Sequence, residues 1–497
     1  MFEKAKLYIK ISSLLFLFTL VVLAIQIRLT RDNNSTIQKS IEVNQVQAQN
    51  TTYDWPQYRH DENRTGYNPT GPVANAQGEY YFSEQWSKQF TGEGLSFTAE
   101  PIIVGNVVYM GTKTGKVYAF TLANGNELWN KQIEGGITHS LAATPSTVFA
   151  ATLAGNVYAL DSSNGTIQWT FTTEGSFGSA PLLVTNKNRL YVVNETGKIH
   201  AIDITDGNEI WNTPLDTFIL QSPTYGNNQI FVGVEDMKLY ALNADTGAIN
   251  WNSSLLYGMT FHNYAPLYMN GKIWVNTTED TYTVSQGSGG NDTLMKQANY
   301  DTWKYTQDPS YTLSQAQDAT VQWLQTYPKA QTTYAFHEDG STSYIPGLFE
   351  VVTNGGAQPP GVFDGTNLYT AYHVTSPKWL RLVWGSELQA AGYPHNADIG
   401  VFGTFDIATG RAISFSYYTP GEFTVDETNN YSGTGNVFFG ARCGSQASCS
   451  TLQGNRCQIN KQTQFIFTGD TCKPGSAPVY ANGYIAHQTW NLLTVYK

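Results

Sequence analysis

Cysteine chemistry is the first that the residue types allow. Cys443, Cys449, Cys457 and Cys472 fall together near the end of a 497-residue chain that has only these four. Two disulfides or one thiolate zinc site would use them all. Structural zinc sites draw on closely spaced cysteine pairs, and no C-x-x-C is present. The spacing therefore favours two bridges over zinc in an oxidising compartment, with the connectivity open. The eight histidines are scattered without metal-ligand spacing. There is no G-x-S-x-G elbow, no H-E-x-x-H, no P-loop, and no C-x-x-C-H for an attached haem. His337 and Glu338 fall in an expected hairpin and read as a solvated pair.

What must position any such group is a repeat. "GKVYAFTLANGNELW" at 115–129 returns as "GNVYALDSSNGTIQW", "GKIHAIDITDGNEIW" and "MKLYALNADTGAINW". The tryptophans Trp129, Trp169, Trp211 and Trp251 and the glycines Gly125, Gly165, Gly207 and Gly247 step together by 40, 42 and 40 residues. A fixed period of this size, carrying strands and no helical pattern, is the signature of a β-propeller blade. "VVYMGT", "VYAFTL" and "NELWNKQ" alternate as half-buried strands do, and "ANGN", "SNGT" and "TDGN" supply the positive-φ positions of hairpins. The repeated indole is expected to pack between adjacent blades. His200 stands where Tyr118, Tyr158 and Tyr240 stand in the sister repeats, so it reads as a repeat-position ring.

The pattern A-x-D-x-x-T-G-x-x-x-W is met by "ALNADTGAINW" and "AIDITDGNEIW" with one or two departures each. It resembles the Trp-docking repeat of the PQQ-like β-propeller superfamily, named for pyrroloquinoline quinone. "DWPQYRHDENRTGY" at 54–67 looks like the segment preceding the first blade in such proteins, and "SAP" at Ser179 and Ser476 is similar to the start of their inner strands. Four blades match well and the rest in fragments. The superfamily includes quinoprotein alcohol dehydrogenases, sensor domains, polyvinyl-alcohol-dehydrogenase-like members and non-catalytic scaffolds, so the fold alone does not give the activity. The catalytic branch would imply pyrroloquinoline quinone and calcium on the axis, with Asn436 of "SGTGNVFF" approaching calcium and Asp398 of "YPHNADIG" as base. Both fragments depart from the family pattern. The first lacks the Pro and Trp that normally follow, the second has Asn396 where the first Asp belongs, and their chain order is reversed. The adjacent Cys-Cys pair is absent too. The favoured reading is therefore a binding or scaffold propeller with no cofactor, and the PQQ- and calcium-dependent dehydrogenase is the alternative.

Degraded copies continue the repeat. "YAPLYMNGKIWVN" and "TYAFHEDGSTSYIPGLFEV" make a fifth blade, and "PPGVFDGTNLYTAYHV" and "VFGTFDIATGRAISFSYY" a sixth. "SAPVYANGYIAHQTWNLLTVYK" supplies three strands, and "EYYFSEQWSKQF", whose Trp86 lies 43 residues before Trp129, a lone outer strand. The two ends should close one blade, which removes an open sheet edge. A further blade around "NVFFGARCG" and "TQFIFTGD" makes eight, with seven as the alternative. In a blade with strands A to D, the B–C connection leaves from the same face as the D–A link between blades. Insertions at about 278–332 and 375–400 split B from C in blades five and six, and the Cys-rich stretch 443–472 is a third case if the two fragments are B and C. The first insertion is expected to be partly helical, from the Ser314–Gln317 capping box and the stop at Pro328. All three would crowd one face, a candidate binding surface with His139, Trp303, Trp323, Trp379, Trp384 and His395, the alternative being that the four tryptophans pack the insertions onto the ring.

Composition fits a large exported domain. Only 13% of residues are charged and the formal net charge is -11, so no basic stripe invites nucleic acid. Lys4, Lys6 and Lys10 precede the apolar run "ISSLLFLFTLVVLAIQI". Residues 1–28 read as a membrane anchor, or as a signal peptide cleaved near Ala24. Residues 29–53 read as a flexible stalk and 54–497 as the propeller. The sequons at Asn34, Asn50, Asn63, Asn164, Asn194, Asn252, Asn276, Asn291 and Asn430 suit an extracytoplasmic glycoprotein surface. The expected partner is an extracytoplasmic protein or a carbohydrate.

Overall fold

Two-residue periodicity and glycine-marked turns produce short antiparallel strands, and the strands stack as blades. The computed structural model describes residues 54–71, 82–277 except 97, 216, 259, 262 and 263, 333–344, 361–374, 399–407, 412–418, 431–434, 437–441, 456–459, 465–468 and 476–497, with 310, 312, 315 and 331 in isolation. The chain divides into Met1–Tyr53 and Asp54–Lys497, and every described residue lies in the second unit. These residues form eight sheets. Sheets 1 to 6 span 102–132, 142–172, 182–214, 224–252, 267–344 and 362–418, each with four antiparallel strands in chain order, here A to D. Sheet 8 combines three strands from 479–496 with Glu84–Gln89, which pairs antiparallel with Leu492–Tyr496. Strands from early and late in residues 54–497 thus share one sheet.

Strands B and C differ from the half-buried pattern expected of them. In sheet 2, Val148, Ala150, Tyr158 and Leu160 pack toward sheet 1, while Phe149, Ala151, Val157 and Ala159 pack toward sheet 3. Both faces are buried because each blade is sandwiched between two others. Only strand D keeps the one-sided pattern, with Trp129 and Trp169 buried among exposed neighbours. Each indole then bridges to the next blade. Trp86, Trp129, Trp169, Trp211 and Trp251 donate from Nε1 to the carbonyls of Leu122, Ser162, Ile204, Ala244 and Glu338 at 2.6–3.1 Å. Their rings lie over Gly125, Gly165, Gly207, Gly247 and Gly340, where a Cβ would come within 2.5–2.7 Å of the ring. The glycine serves two needs at once: a positive φ for the turn, and room for the neighbouring indole.

The seventh sheet corrects the strand assignment made from sequence. Its order is Tyr67–Asn68, Tyr431–Thr434, Val437–Ala441, Phe465–Thr468, Arg456–Ile459. Val437–Ala441 and Phe465–Thr468 run parallel, so they cannot be the B and C strands of an up-and-down blade. Arg456–Ile459, within the Cys-rich stretch, intervenes in the chain and takes the outer position, antiparallel to Phe465–Thr468. In sheets 5 and 6 the expected order holds: the insertions stand between Lys272–Asn276 and Thr333–His337, and between Asn367–Val374 and Ile399–Asp406. Apart from 310, 312, 315 and 331, residues 278–332 and 375–398 lie outside the described residues, and of the expected helix only Gln315 is described, as helical.

Candidate functional site

The two faces of the blades differ in chemistry. A–B and C–D turns share one face, and B–C turns and D–A links share the other. Among the described residues, every exposed large apolar side chain of a turn or link lies on the B–C face. Leu153 is in the B–C turn of sheet 2, and Trp490, 54% exposed, in that of sheet 8. Phe218 lies in the link from sheet 3 to sheet 4. Leu255, 59% exposed, and Tyr257 lie in the link from sheet 4 to sheet 5. The remaining exposed apolar residues, Leu128, Ile167, Ile210 and Ile249, are on outer strands. The A–B and C–D turns instead carry Asn, Asp, Ser and Gly that close on themselves, as Asp161 does on the Ser163 N–H at 2.8 Å. The insertions of sheets 5 and 6 also join at the B–C face.

Residues 54–68 run along the A strands of all eight sheets, on the axial side. Trp55 exchanges two backbone hydrogen bonds with Ile103 of sheet 1, and Pro56 accepts from the Ala143 N–H of sheet 2. The Gln57 side chain bonds both backbone groups of Leu183 in sheet 3. The carbonyls of Glu62, Asn63 and Thr65 accept from Tyr225, Tyr268 and Phe363 in sheets 4, 5 and 6. Tyr67–Asn68 joins sheet 7 as a parallel strand, and Asn68 Nδ2 donates to the Tyr480 carbonyl of sheet 8. Each partner belongs to the A strand of its sheet. The segment starts at the turn face, where Asp54 accepts from the Gly105 N–H and from Asn482 Nδ2.

Two buried guanidinium groups crown it. Arg64 donates to the carbonyls of Tyr58, Pro181 and Pro223 at 2.7–3.1 Å, and burial lowers its pKa to about 10. Arg59 Nη2 donates to Gly361 O at 2.6 Å. The Glu100 carboxylate accepts from Trp55 Nε1 and the Arg59 N–H; burial pushes its pKa up against the pull of Arg59. Burial also pushes Asp61 up, but hydrogen bonds from His60 and Thr65 and the His60 charge outweigh it and hold the carboxyl low. Arg59, His60 and Arg64 all adopt positive φ, a conformation that persists in non-glycine residues when surrounding contacts over-determine it.

The structure places His139 in the link between sheets 1 and 2, buried, with Nδ1 3.2 Å from Thr138 Oγ1. Trp303, Trp323, Trp379, Trp384, His395, Asp398, Asn436, Cys443, Cys449 and Cys472 lie outside the described residues, and only the backbone of Cys457 is described. His200 sits in the same register as Tyr118 and Tyr240; its Nδ1 is 2.6 Å from Glu209, and burial lowers its pKa against that partner. Glu338 is not simply solvated. It accepts from Tyr268 Oη and from Asn227 Nδ2, latching sheet 5 to sheet 4. Of the sequons, Asn164 and Asn252 are exposed, whereas Asn194 is fully buried and donates to the Glu174 carbonyl. Among the described residues no group of His, Cys, Asp or Glu could hold a metal ion, and no helix is long and apolar enough to cross a membrane. The axial role of Gln57, Arg59 and Arg64 was missed from sequence. Its signal is the charged run from Arg59 to Arg64 in a chain otherwise poor in charge.

This fold is that of the PQQ-type β-propellers. Residues 61–153, 84–171 and 153–261 match the PQQ_2 family, described as outer membrane protein assembly factor BamB. The chain is similar to outer membrane protein assembly factor BamB of Legionella pneumophila (strain Paris), with 27% identity over 183 residues. That match covers 36% of this chain and 38% of the relative. Among solved structures, quinohemoprotein alcohol dehydrogenase from Comamonas testosteroni superposes with a TM-score of 0.56 at 14% identity, over 90% of this chain and 80% of that one. A europium-containing methanol dehydrogenase superposes with a TM-score of 0.53 at 13% identity, over 90% and 98%. Likeness at this identity concerns the fold alone.

Proposed function

We propose that this chain is an exported, non-catalytic propeller scaffold that docks a protein partner on its B–C face. The observation that carries the reading is the segregation of exposed Leu153, Phe218, Leu255, Tyr257 and Trp490 to that face, opposite a polar turn face. Contiguous apolar patches on a protein surface mark interaction sites, and Phe218, Leu255 and Tyr257 fall on two successive links of this face. The similar Legionella protein is an outer membrane protein assembly factor, which supports a partner among the assembly proteins of a cell envelope. In this reading residues 1–28 export or anchor the chain, 29–53 tether it, and the four cysteines form two disulfides. The partner is held by the propeller without quinone or calcium.

A photo-crosslinking residue placed at Phe218, Leu255 or Trp490 in cells is expected to trap the same partner. Placed at Asn124, Asp206 or Asn227 on the turn face, it is expected to trap none. Equal capture from both faces would refute the assignment. Saturable, dye-linked alcohol oxidation after adding pyrroloquinoline quinone and calcium, lost on Asp398→Asn, would replace the scaffold by the dehydrogenase. Peptide mapping under non-reducing conditions should find no free thiol.

A further inference from the structure

We propose that residues 54–68 are a ligand of the propeller axis held in cis, docking and undocking as one unit. The A strands are the inner edges of their sheets, and an edge strand presents N–H and C=O groups without partners of its own. Residues 54–68 supply those partners at Ala143, Tyr225, Tyr268 and Phe363, one in each of four sheets, and at the A strands of the other four. Apart from Tyr67–Asn68 the segment has no strand or helix of its own, so its conformation depends on what it touches. Arg64 needs the carbonyls of Pro181 and Pro223, which precede the A strands of sheets 3 and 4, and Arg59 needs that of Gly361, which precedes the A strand of sheet 6. A partly undocked segment would leave a guanidinium buried and unpaired, which is more costly than leaving the axis entirely. The B and C strands keep their own ladders when it leaves, so the opening is sub-global and distinct from unfolding of the blades. Released, the axis becomes a site for an extended, arginine-bearing polypeptide.

Native-state hydrogen exchange on the full chain tests this. The amides of Ala143, Tyr225, Tyr268 and Phe363 are expected to exchange through one opening, with a common rate and denaturant dependence, ahead of amides within the B–C ladders. Unrelated rates among the four, or exchange only together with the ladders, would overturn the proposal. The variant Arg64→Met separates a unit from a local contact. The Arg64 hydrogen bonds outside the segment go to Pro181 and Pro223, next to the A strands of sheets 3 and 4, yet exchange at Ala143 and Phe363, in sheets 2 and 6, should rise about tenfold or more. A rise confined to sheets 3 and 4 would count against a single unit. If the variant does not fold, the measurement on the unmodified chain still decides.

Discussion

Gln57 acts on Leu183 as a neighbouring β-strand would: its Nε2 donates to the Leu183 carbonyl at 3.0 Å, and its Oε1 accepts from the Leu183 N–H at 2.9 Å. The same Oε1 accepts from Arg64 Nη1 at 3.3 Å, so one amide links the third sheet to the buried guanidinium. Replacing it with a residue of similar size and no polar atoms, Gln57→Leu, leaves a buried N–H and carbonyl unpaired. The expected loss is about 1–3 kcal/mol of stability in urea unfolding. A loss well below this would mean that water or a backbone shift satisfies Leu183 instead.

The indole over the turn glycine gives a second prediction. Gly165 has φ +72° and a Cβ there would lie 2.6 Å from the Trp129 ring, whereas Gly483 has φ +82° and nothing within 4 Å. Gly483→Ala should cost only the left-handed strain, about 1–2 kcal/mol. Gly165→Ala should cost about 1–3 kcal/mol more, because the indole must also move. Equal costs would show that Trp129 adapts freely. Tryptophan fluorescence on Gly165→Ala reports the displacement directly.

His487 sets a pH dependence. It is buried in strand B of sheet 8, and burial lowers its pKa from 6.5 to about 4 against a hydrogen bond to the Ser476 backbone. The unfolded chain takes up the proton near pH 6.5, while the folded chain resists until about pH 4. Stability is therefore complete above pH 6.5 and falls as pH drops toward 4, by about 3 kcal/mol in all. His487→Gln should flatten the unfolding midpoint across that window. An unchanged slope would assign the effect to other groups, His200 first among them.

The sequence by itself determined the blade. Alternation, turn glycines and the tryptophan spacing are local constraints that operate within about 40 residues, and they located the strands of sheets 1 to 4 and the interrupted B–C positions of sheets 5 and 6. They also placed Trp129 against its neighbour, because a repeated large ring in a stacked unit has nowhere else to go. The tertiary structure alone decided the rest. The parallel pair in sheet 7 and the outer place of Arg456–Ile459 are matters of long-range strand pairing, and weak repeats do not encode that. The double-sided burial of strands B and C comes from stacking rather than from the strand's own pattern. The axial segment was least legible of all. Asp54 meets Asn482 across 428 residues of chain, and most partners of residues 54–68 are backbone N–H and C=O groups. Such groups are the same in nearly every residue, so the sequence carries no mark of which ones will be paired.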